Sequence, residues 1–469
     1  MSSTIAAAEL APALTREIVG LEVVTDTAAI EAKSRDYWMR SLLQSRVDGA
    51  PRAAVLVRPA SAAEVAAVLA FATRTRTPVI PFGLGSGVCG AVLASGNEIV
   101  LDVSKMDRLL EISDENLTAR VEPGMRGSEF EAALAARGYT MGHWPQSIAI
   151  STVGGWCATR ASGQLSTLYG NIEQMLLGCQ IALPSGRLMT LPPVPRSATG
   201  PDLKHLFLGS EGTLGVFTEL TFRIHPAAEK SVGRAYSMPT LRAGLEALRR
   251  ALRAGWTPAV TRLYDATEAG RNFAVDADGK PVLLVMSEGS AARVDTEAAA
   301  VAAIITEQGG IDRGEAPVTS WLEHRNNVPS FDKLLAQGLV ADTIEVAIGW
   351  DRIGDLFETV NERGAKIDGV FAMSGHVSHC YTQGANIYFT FVAAQSDARE
   401  ALGIYDKSWR TVVETTIELG GTIAHHHGIG RVRKEWLRQE LGEGVALLEA
   451  LKRAFDPAGI MNPGALLDL

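Results

Sequence analysis

The feature that most constrains this chain is a glycine loop with a strand, not a helix, behind it. Gly83, Gly85, Gly87 and Gly90 follow the strand-like residues 78–80. Glycines so spaced let backbone amides converge on an anion such as a pyrophosphate, because no Cβ blocks the approach. The nucleotide-binding βαβ fingerprint needs a helix at this point, its N-terminus aimed at the phosphates. Here the loop leads to a turn at 95–97 and an apolar strand over 99–103. Asp102 stands about 20 residues after the loop, where that fingerprint has its ribose-binding acid. Without the intervening helix it reads as a decoy. A Walker loop is excluded, since no Lys-Ser or Lys-Thr follows the glycines.

Three further clusters rich in glycine and small polar residues lie downstream, at 151–163, 169–173 and 209–215. Each alone is explained by tight turns in a strand-rich region. Four of them separated by strands favour one long ligand crossing several loops, a large dinucleotide. The 46 glycines of the 469-residue chain exceed the usual share of about 7%.

Composition excludes other classes. Lys+Arg total 44 against Asp+Glu 53, a net charge of −9, with no long basic run. That is a poor match to a nucleic-acid backbone. Hydrophobic residues at 46% and charged residues at 21% exclude wholesale disorder. Cys89, Cys157, Cys179 and Cys380 form no CxxC pair, so neither a zinc site nor a disulfide framework is indicated. Residues 1–20 lack a basic start followed by an apolar run, and no stretch of 18 apolar residues occurs. The last three residues are not a peroxisomal address. The expectation is a cytoplasmic protein with no integral membrane segment and no nucleic-acid partner.

The expected organisation has four parts: an N-terminal helical segment, 1–50; a ligand-binding domain, 51–226; a cap domain, 227–424; and a C-terminal segment, 425–469, returning to the second. A helix is expected over 28–43. Strand 53–57 leads to a helix opened by a Ser61/Glu64 capping box, with Val65, Val68, Leu69 and Ala72 on one face. Strand 117–121 leads to a helix capped by Ser128 with Glu131 at N3. Strands are expected at 180–182 and 214–222. After a composition shift near Pro226 come a helix over 240–254 and a β-α-β-β-α-β-like pattern.

The loop 81–90, the segment 151–163 and the turn 209–215 together resemble the vanillyl-alcohol oxidase / p-cresol methylhydroxylase family of FAD enzymes. Within it the likeness is strongest to the alkyldihydroxyacetonephosphate synthase branch. It is carried by Gly142-His143, Pro145 and Ser147, by 169–173, by Ile387-Tyr388-Phe389 and by His425-His426-His427-Gly428, with the matching Tyr388-to-His425 spacing. The resemblance implies an α+β fold, with a two-subdomain FAD-binding domain of the p-cresol methylhydroxylase type. A cap domain with an antiparallel sheet and flanking helices would complete it. FAD would be held by Pro81, Gly83, Leu84, Gly85, Ser86, Gly87, Pro145, Ser147, Ser151, Thr152, Gly154, Gly155, Ala158, Thr159, Ser162, Gly163, Tyr169, Gly170, Glu211, Gly215, Val216 and Asn462. Tyr388, His425, His426 and His427 would be catalytic, and Arg262 and His376 would bind substrate. The likeness also implies a homodimer.

There are departures. His376 stands where the synthases have a phosphate-holding arginine, and Trp144 and Gln146 replace two acidic residues. Loop 81–90 has no tethering histidine, so the FAD is expected to be non-covalent. A second, more distant likeness is to D-lactate / D-2-hydroxyglutarate dehydrogenases. Their metal site would need a histidine and a glutamate where this chain has Tyr388 and His426, so no metal is expected.

The candidate residues suit proton work and anion binding. Histidine titrates near neutrality. If 422–424 is a strand that stays extended, His425 and His427 point one way and His426 the other. A chance surface run is the bland alternative. Tyr388 in a β-type segment is either an ordinary core tyrosine or, by the family likeness, a proton-transfer group. Arg262 suits a carboxylate, phosphate or oxyanion, or else a surface ion pair with Asp265. His376 could donate a hydrogen bond to a substrate oxygen, or be a satisfied buried histidine. His379 and Cys380 carry no assigned role, and Arg431, Arg433 and Lys434 read as a solvated helix start or a lid. Three functions follow. The first is an FAD-dependent oxidoreductase passing a hydride from a small hydroxy acid or alcohol to flavin. The second is a synthase-like exchange of acyl for alkoxy through a flavin adduct, and the third a non-catalytic flavin-binding protein.

Overall fold

The computed structural model describes residues 5–273, 279–328, 330–395 and 397–468. Two sheets build the first half. Glu22–Val24, Val55–Arg58, Ile99–Asp102 and Val79–Phe82 lie side by side in that order, the last three parallel. An antiparallel sheet follows, ordered Leu109–Ser113, Thr118–Val121, Val216–Arg223, Leu176–Ala182, Leu188–Leu191. The glycine clusters are the connections among these strands.

The second half is one seven-stranded antiparallel sheet. Its strands are β1 (Lys230–Ser237), β2 (Val260–Tyr264), β3 (Val282–Gly289), β4 (Ile311–Gly314), β5 (Leu339–Gly349), β6 (Val370–Val377) and β7 (Gly384–Ala394). Their order is β4-β1-β3-β2-β6-β7-β5. One face is packed by four helices: Leu241–Arg253, Ala291–Glu307, Ile353–Gly364 and Ala398–Glu418. Leu248, Ile305, Leu356 and Trp409 from these helices form one core with Leu263, Ile344, Phe389 and Phe391 of the strands. Alternation then turns the intervening residues to the opposite face.

That face carries the polar residues. Glu345 on β5 pairs with Tyr388 on β7, Tyr388 with His376 on β6, and His376 with Tyr264 on β2. One rung of the sheet thus sets Glu345, Tyr388, His376 and Tyr264 in a row. Thr343, Thr390 and Ser374 form another rung.

Several element boundaries differ from the sequence expectation, each for a local reason. The helix over 28–43 is two, Thr27–Ala32 and Met39–Asp48. Between them Ser34 accepts from the Ala53 amide and Asp36 from the Trp38 amide, which turns the chain aside. The segment 1–50 also supplies the edge strand Glu22–Val24. Ser61 caps the helix Ala62–Thr75, but Glu64 reaches back to the Ala60 amide. Ser128 is not a cap. The helix starts at Gly127, where a Cβ would meet the Trp156 ring at 2.1 Å, and Glu131 binds Thr140 and the Met141 amide instead. Leu117 has φ +50, so its strand begins at Thr118. Residues 422–424 form no strand, only a bridge from Thr422 to Ala347. Among the described residues no helix is long and apolar enough to cross a membrane.

The C-terminal segment lies against the first half. Met461 bridges Val79, and buried Lys452 donates to the Thr213 carbonyl and pairs with Asp456.

Candidate functional site

A cavity of about 430 Å³ runs between the glycine clusters and the polar face of the large sheet. Every residue expected to hold FAD lines it except Gly163, Tyr169 and Gly170. Those three build the scaffold behind. A Cβ on Gly163 would meet the Trp144 nitrogen at 2.5 Å, and Tyr169 donates to Glu288. The first loop approaches the second closely enough that a Cβ on Gly83 would lie 2.5 Å from Thr152 Oγ1. Asn462 also lines the cavity, and its Oδ1 is buried without a partner among the described residues. Glycine walls and an unsatisfied acceptor suit a long polar ligand, and the residues present fit FAD. Asp102 lies outside this cavity, buried beneath Arg58 and Lys33 and capping the turn after its strand.

At the sheet end the cavity wall includes Arg262, His376, Tyr388, His426 and His427. Arg262 is 9% exposed and makes no ion pair with Asp265. Its Nε donates to the Tyr264 hydroxyl at 2.9 Å, and one Nη lies 2.7 Å from His376 Nε2. Asp265 instead caps the helix Ala266–Asn272 and accepts from the Gly375 amide. His376 Nδ1 lies 2.7 Å from Glu268. Both ring nitrogens are therefore taken, which removes the expected hydrogen bond from His376 to substrate.

The histidine run does not alternate. Residues 425–427 bend around the buried Glu345 carboxylate, which accepts from the His425 amide at 2.5 Å and the His427 amide at 2.7 Å. All three rings gather on one side, with centroids 5.1 Å (His425–His426) and 4.4 Å (His426–His427) apart. Their partners differ. His425 stands behind the wall, its Nε2 2.7 Å from the Tyr381 hydroxyl. His427 Nε2 lies 3.4 Å from the Tyr388 hydroxyl, and its Nδ1 3.6 Å from Glu345. Burial, reinforced by neighbouring charges, pushes the pKa values of His425 and His426 down to about 3, and His427 well below the usual range. The run is therefore neutral at neutral pH and does not act as an imidazolium acid. Burial pushes the Tyr388 phenol up, so it remains protonated.

His379, given no role from sequence, is central. It is buried on the cavity wall, its Nδ1 faces the hydroxyls of Ser162 and Ser166, and its ring contacts His425 and His426. One ligand atom each from His379, His425 and His426 lie within 4.8 Å of one another. Glu268, Glu345, Thr343 and Tyr381 were also missed. Arg433 is not solvated: it is fully buried, paired with Glu345 at 3.2 Å and stacked over Trp409. Arg431 and Lys434 donate to carbonyls of the C-terminal tail, Pro463 and Gly464. None of the three is a lid.

Residues 53–192 match the FAD binding domain family, and residues 228–466 match the C-terminal domain of FAD linked oxidases. The chain belongs to the FAD-linked oxidases of the vanillyl-alcohol oxidase / p-cresol methylhydroxylase family. Its fold is accordingly the expected one, an FAD domain joined to a large antiparallel sheet with helices. Among relatives in this family, the uncharacterized FAD-linked oxidoreductase YgcU of Escherichia coli (strain K12) is 34% identical over 96% of each chain. The alkyldihydroxyacetonephosphate synthase of Caenorhabditis elegans is 30% identical over 88% of this chain and 76% of its own. A solved alkyldihydroxyacetonephosphate synthase superposes with a TM-score of 0.83 at 26% identity, covering 96% of this chain and 85% of that one. This chain is thus an FAD-linked oxidoreductase by family, and Tyr388, His426 and His427 line a cavity at the junction of its two halves.

Proposed function

We propose that the protein removes a hydride from a small hydroxy acid or alcohol, with Arg262 binding the substrate's oxyanion and Tyr388 and His427 managing the proton. The carrying observation is the Tyr388 hydroxyl 3.4 Å from His427 Nε2 on the wall that also holds Arg262. Non-covalently bound FAD would supply the hydride acceptor. The substrate hydroxyl gives its proton to Tyr388 Oη as the Tyr388 proton moves to His427 Nε2. Burial disfavours charge on His427, so this imidazolium forms only transiently, with the Glu345 carboxylate 3.6 Å from Nδ1 as its counter-charge. Thr343 donates to the Tyr388 hydroxyl at 3.2 Å and holds its orientation.

The likeness to alkyldihydroxyacetonephosphate synthases favours a second reading, exchange of acyl for alkoxy with no net redox. His376, Trp144 and Gln146 weigh against a phosphorylated substrate. A homodimer is part of the proposal on family likeness alone.

An anaerobic visible spectrum of the FAD-loaded protein, before and after 2-hydroxy acids, phenolic alcohols and acyl-dihydroxyacetone phosphate, tests both readings. Bleaching by a hydroxy acid or alcohol, reversed by an acceptor, supports the first. Bleaching by the acyl phosphate alone, reversed by a fatty alcohol, supports the second. A protein that binds no FAD sinks both.

A further inference from the structure

We propose that Glu268 is a positioning residue: it locks the tautomer of His376, and His376 in turn fixes the substrate-binding fork of Arg262. The inference rests on the reading that Arg262 binds a substrate oxyanion. Neither Glu268 nor its helix lines the cavity.

The three residues form a directed chain. Arginine only donates hydrogen bonds. The Arg262 Nη at 2.7 Å from His376 Nε2 therefore requires a lone pair on Nε2. Burial, with Arg262 and Arg271 nearby, pulls the His376 pKa below the ordinary value despite Glu268, so the ring is neutral. A neutral ring with a bare Nε2 carries its hydrogen on Nδ1. That hydrogen points at Glu268, 2.7 Å away. The acceptor and the donor bond demand the same tautomer, and each reinforces the other.

Glu268 is itself anchored. It is 3% exposed, sits in the first turn of the helix Ala266–Asn272, and accepts from Thr390 Oγ1 at 2.7 Å. Arg271 pairs with it at 3.4 Å. Thr390 stands on the rung next to Tyr388 and His376, so the carboxylate is tied to the strands that carry the site.

The consequence concerns specificity. With Nε on Tyr264 and one Nη on His376, the fork cannot rotate, and Nη1 is left without a protein partner among the described residues. The carboxylate that orients the fork is one residue removed and makes no direct ion pair with it. Arg262 then presents one fixed donor edge to a single carboxylate-sized anion.

Glu268→Gln tests this without changing shape. A glutamine offers its NH2 as readily as its oxygen, so Nδ1 is free to become an acceptor and Nε2 to carry hydrogen toward Arg262. The readout is the ¹⁵N spectrum of histidine-labelled, FAD-loaded protein, with the His376 signals assigned by their loss in His376→Asn. The expected result is an Nδ1–H tautomer in the wild type and Nε2–H or a mixture in Glu268→Gln. Glu268→Asp, which keeps the charge, restores Nδ1–H. A wild-type Nε2–H signal, or a Glu268→Gln spectrum identical to wild type, overturns the proposal.

Oxalate, followed by its shift of the visible flavin band, supplies the second readout. Glu268→Gln should weaken it about tenfold, the loss of a charge-assisted hydrogen bond's orientation. Unchanged oxalate affinity in Glu268→Gln alongside a changed tautomer overturns the link to Arg262. Unchanged affinity in Arg262→Met, by contrast, sinks the reading of Arg262 while the tautomer result stands.

Discussion

Tyr388 and His376 are direct cross-strand partners whose rings stack with centroids 5.1 Å apart and planes 26° apart. Tyr388 is also paired with Glu345 on its other side. The proposed proton-handling tyrosine and the histidine that contacts Arg262 therefore share one rung of one sheet. The inter-strand hydrogen bonds hold these two residues in register, and the histidine run reaches them from outside the strands. A site built on strands in this way is held more rigidly than one carried by loops.

Replacing Tyr388 by Phe removes the hydroxyl and leaves the ring that stacks on His376. Turnover on the substrate found by the spectral panel should fall on the order of 10²–10⁴-fold, the usual worth of a general acid–base group. The flavin-to-protein absorbance ratio should stay at the wild-type value. Wild-type turnover in this variant would remove Tyr388 from the proton path.

Glu345 is the second rung partner, and its loss should be felt as stability. Its carboxylate is fully buried and accepts from two amides of the histidine run and from Arg433, itself fully buried. Glu345→Ala leaves that guanidinium without its counter-charge, a change that costs about 3–5 kcal/mol. Urea denaturation should show the midpoint falling by a corresponding amount. A midpoint within error of wild type would mean that Cys89 and the carbonyls around Arg433 satisfy it alone.

Much of this was legible in the residues. The glycine clusters, the His-His-His run, Tyr388 and Arg262 stood out, and the loop-to-strand transition correctly set aside the helix-based fingerprint. What stayed hidden was the register. Glu345 sits in Asp-Thr-Ile-Glu-Val, and Thr343 and Glu345 alternate with buried Ile344 and Val346. That period-2 polar pattern in an apolar strand was the available signal. Only the pairing of β5 with β7, more than 40 residues later, shows what Glu345 faces. His379 was hidden likewise, since its serine partners lie over 200 residues earlier. Arg433 read as solvated because arginine usually is. The bend of 425–427 depends on Glu345, a long-range acceptor that no local propensity contains.

The buried histidines make stability depend on pH. Burial, with His426 nearby, holds the His143 pKa down to about 3, and neither ring nitrogen has a hydrogen-bond partner among the described residues. In the unfolded chain the group titrates near 6.5. Between pH 6.5 and 3 the unfolded state therefore binds the extra proton, and stability falls as pH falls. Asp36, Glu131 and Glu211, pushed up to about 7 by burial, act oppositely: their contribution is present below their unfolded pKa and is lost as pH rises through about 7. The histidine effect is isolated by His143→Phe, which keeps a ring against Trp156. The stability of wild type relative to this variant should drop by about 1.4 kcal/mol per pH unit below 6.5. A pH-independent difference would show that His143 is already protonated, or solvated, in the fold.

The gathering of His379, His425 and His426 invites a metal, and its hydrogen bonds argue for a different use. His379 Nδ1 is taken by two serine hydroxyls and His425 Nε2 by Tyr381. The remaining His425 Nδ1 lies 2.8 Å from His426 Nδ1, a hydrogen bond in which one nitrogen keeps its proton. Two nitrogens on a tetrahedral zinc, at its usual bond lengths, stand about 3.3 Å apart. The short contact fits a proton shared between neutral rings better than two lone pairs turned on one cation. Dialysis of the FAD-loaded protein against a strong chelator such as dipicolinate should therefore leave turnover unchanged. Activity lost on dialysis and restored by zinc or manganese would make the trio a metal site, and would turn His425 and His426 from hydrogen-bond partners into ligands.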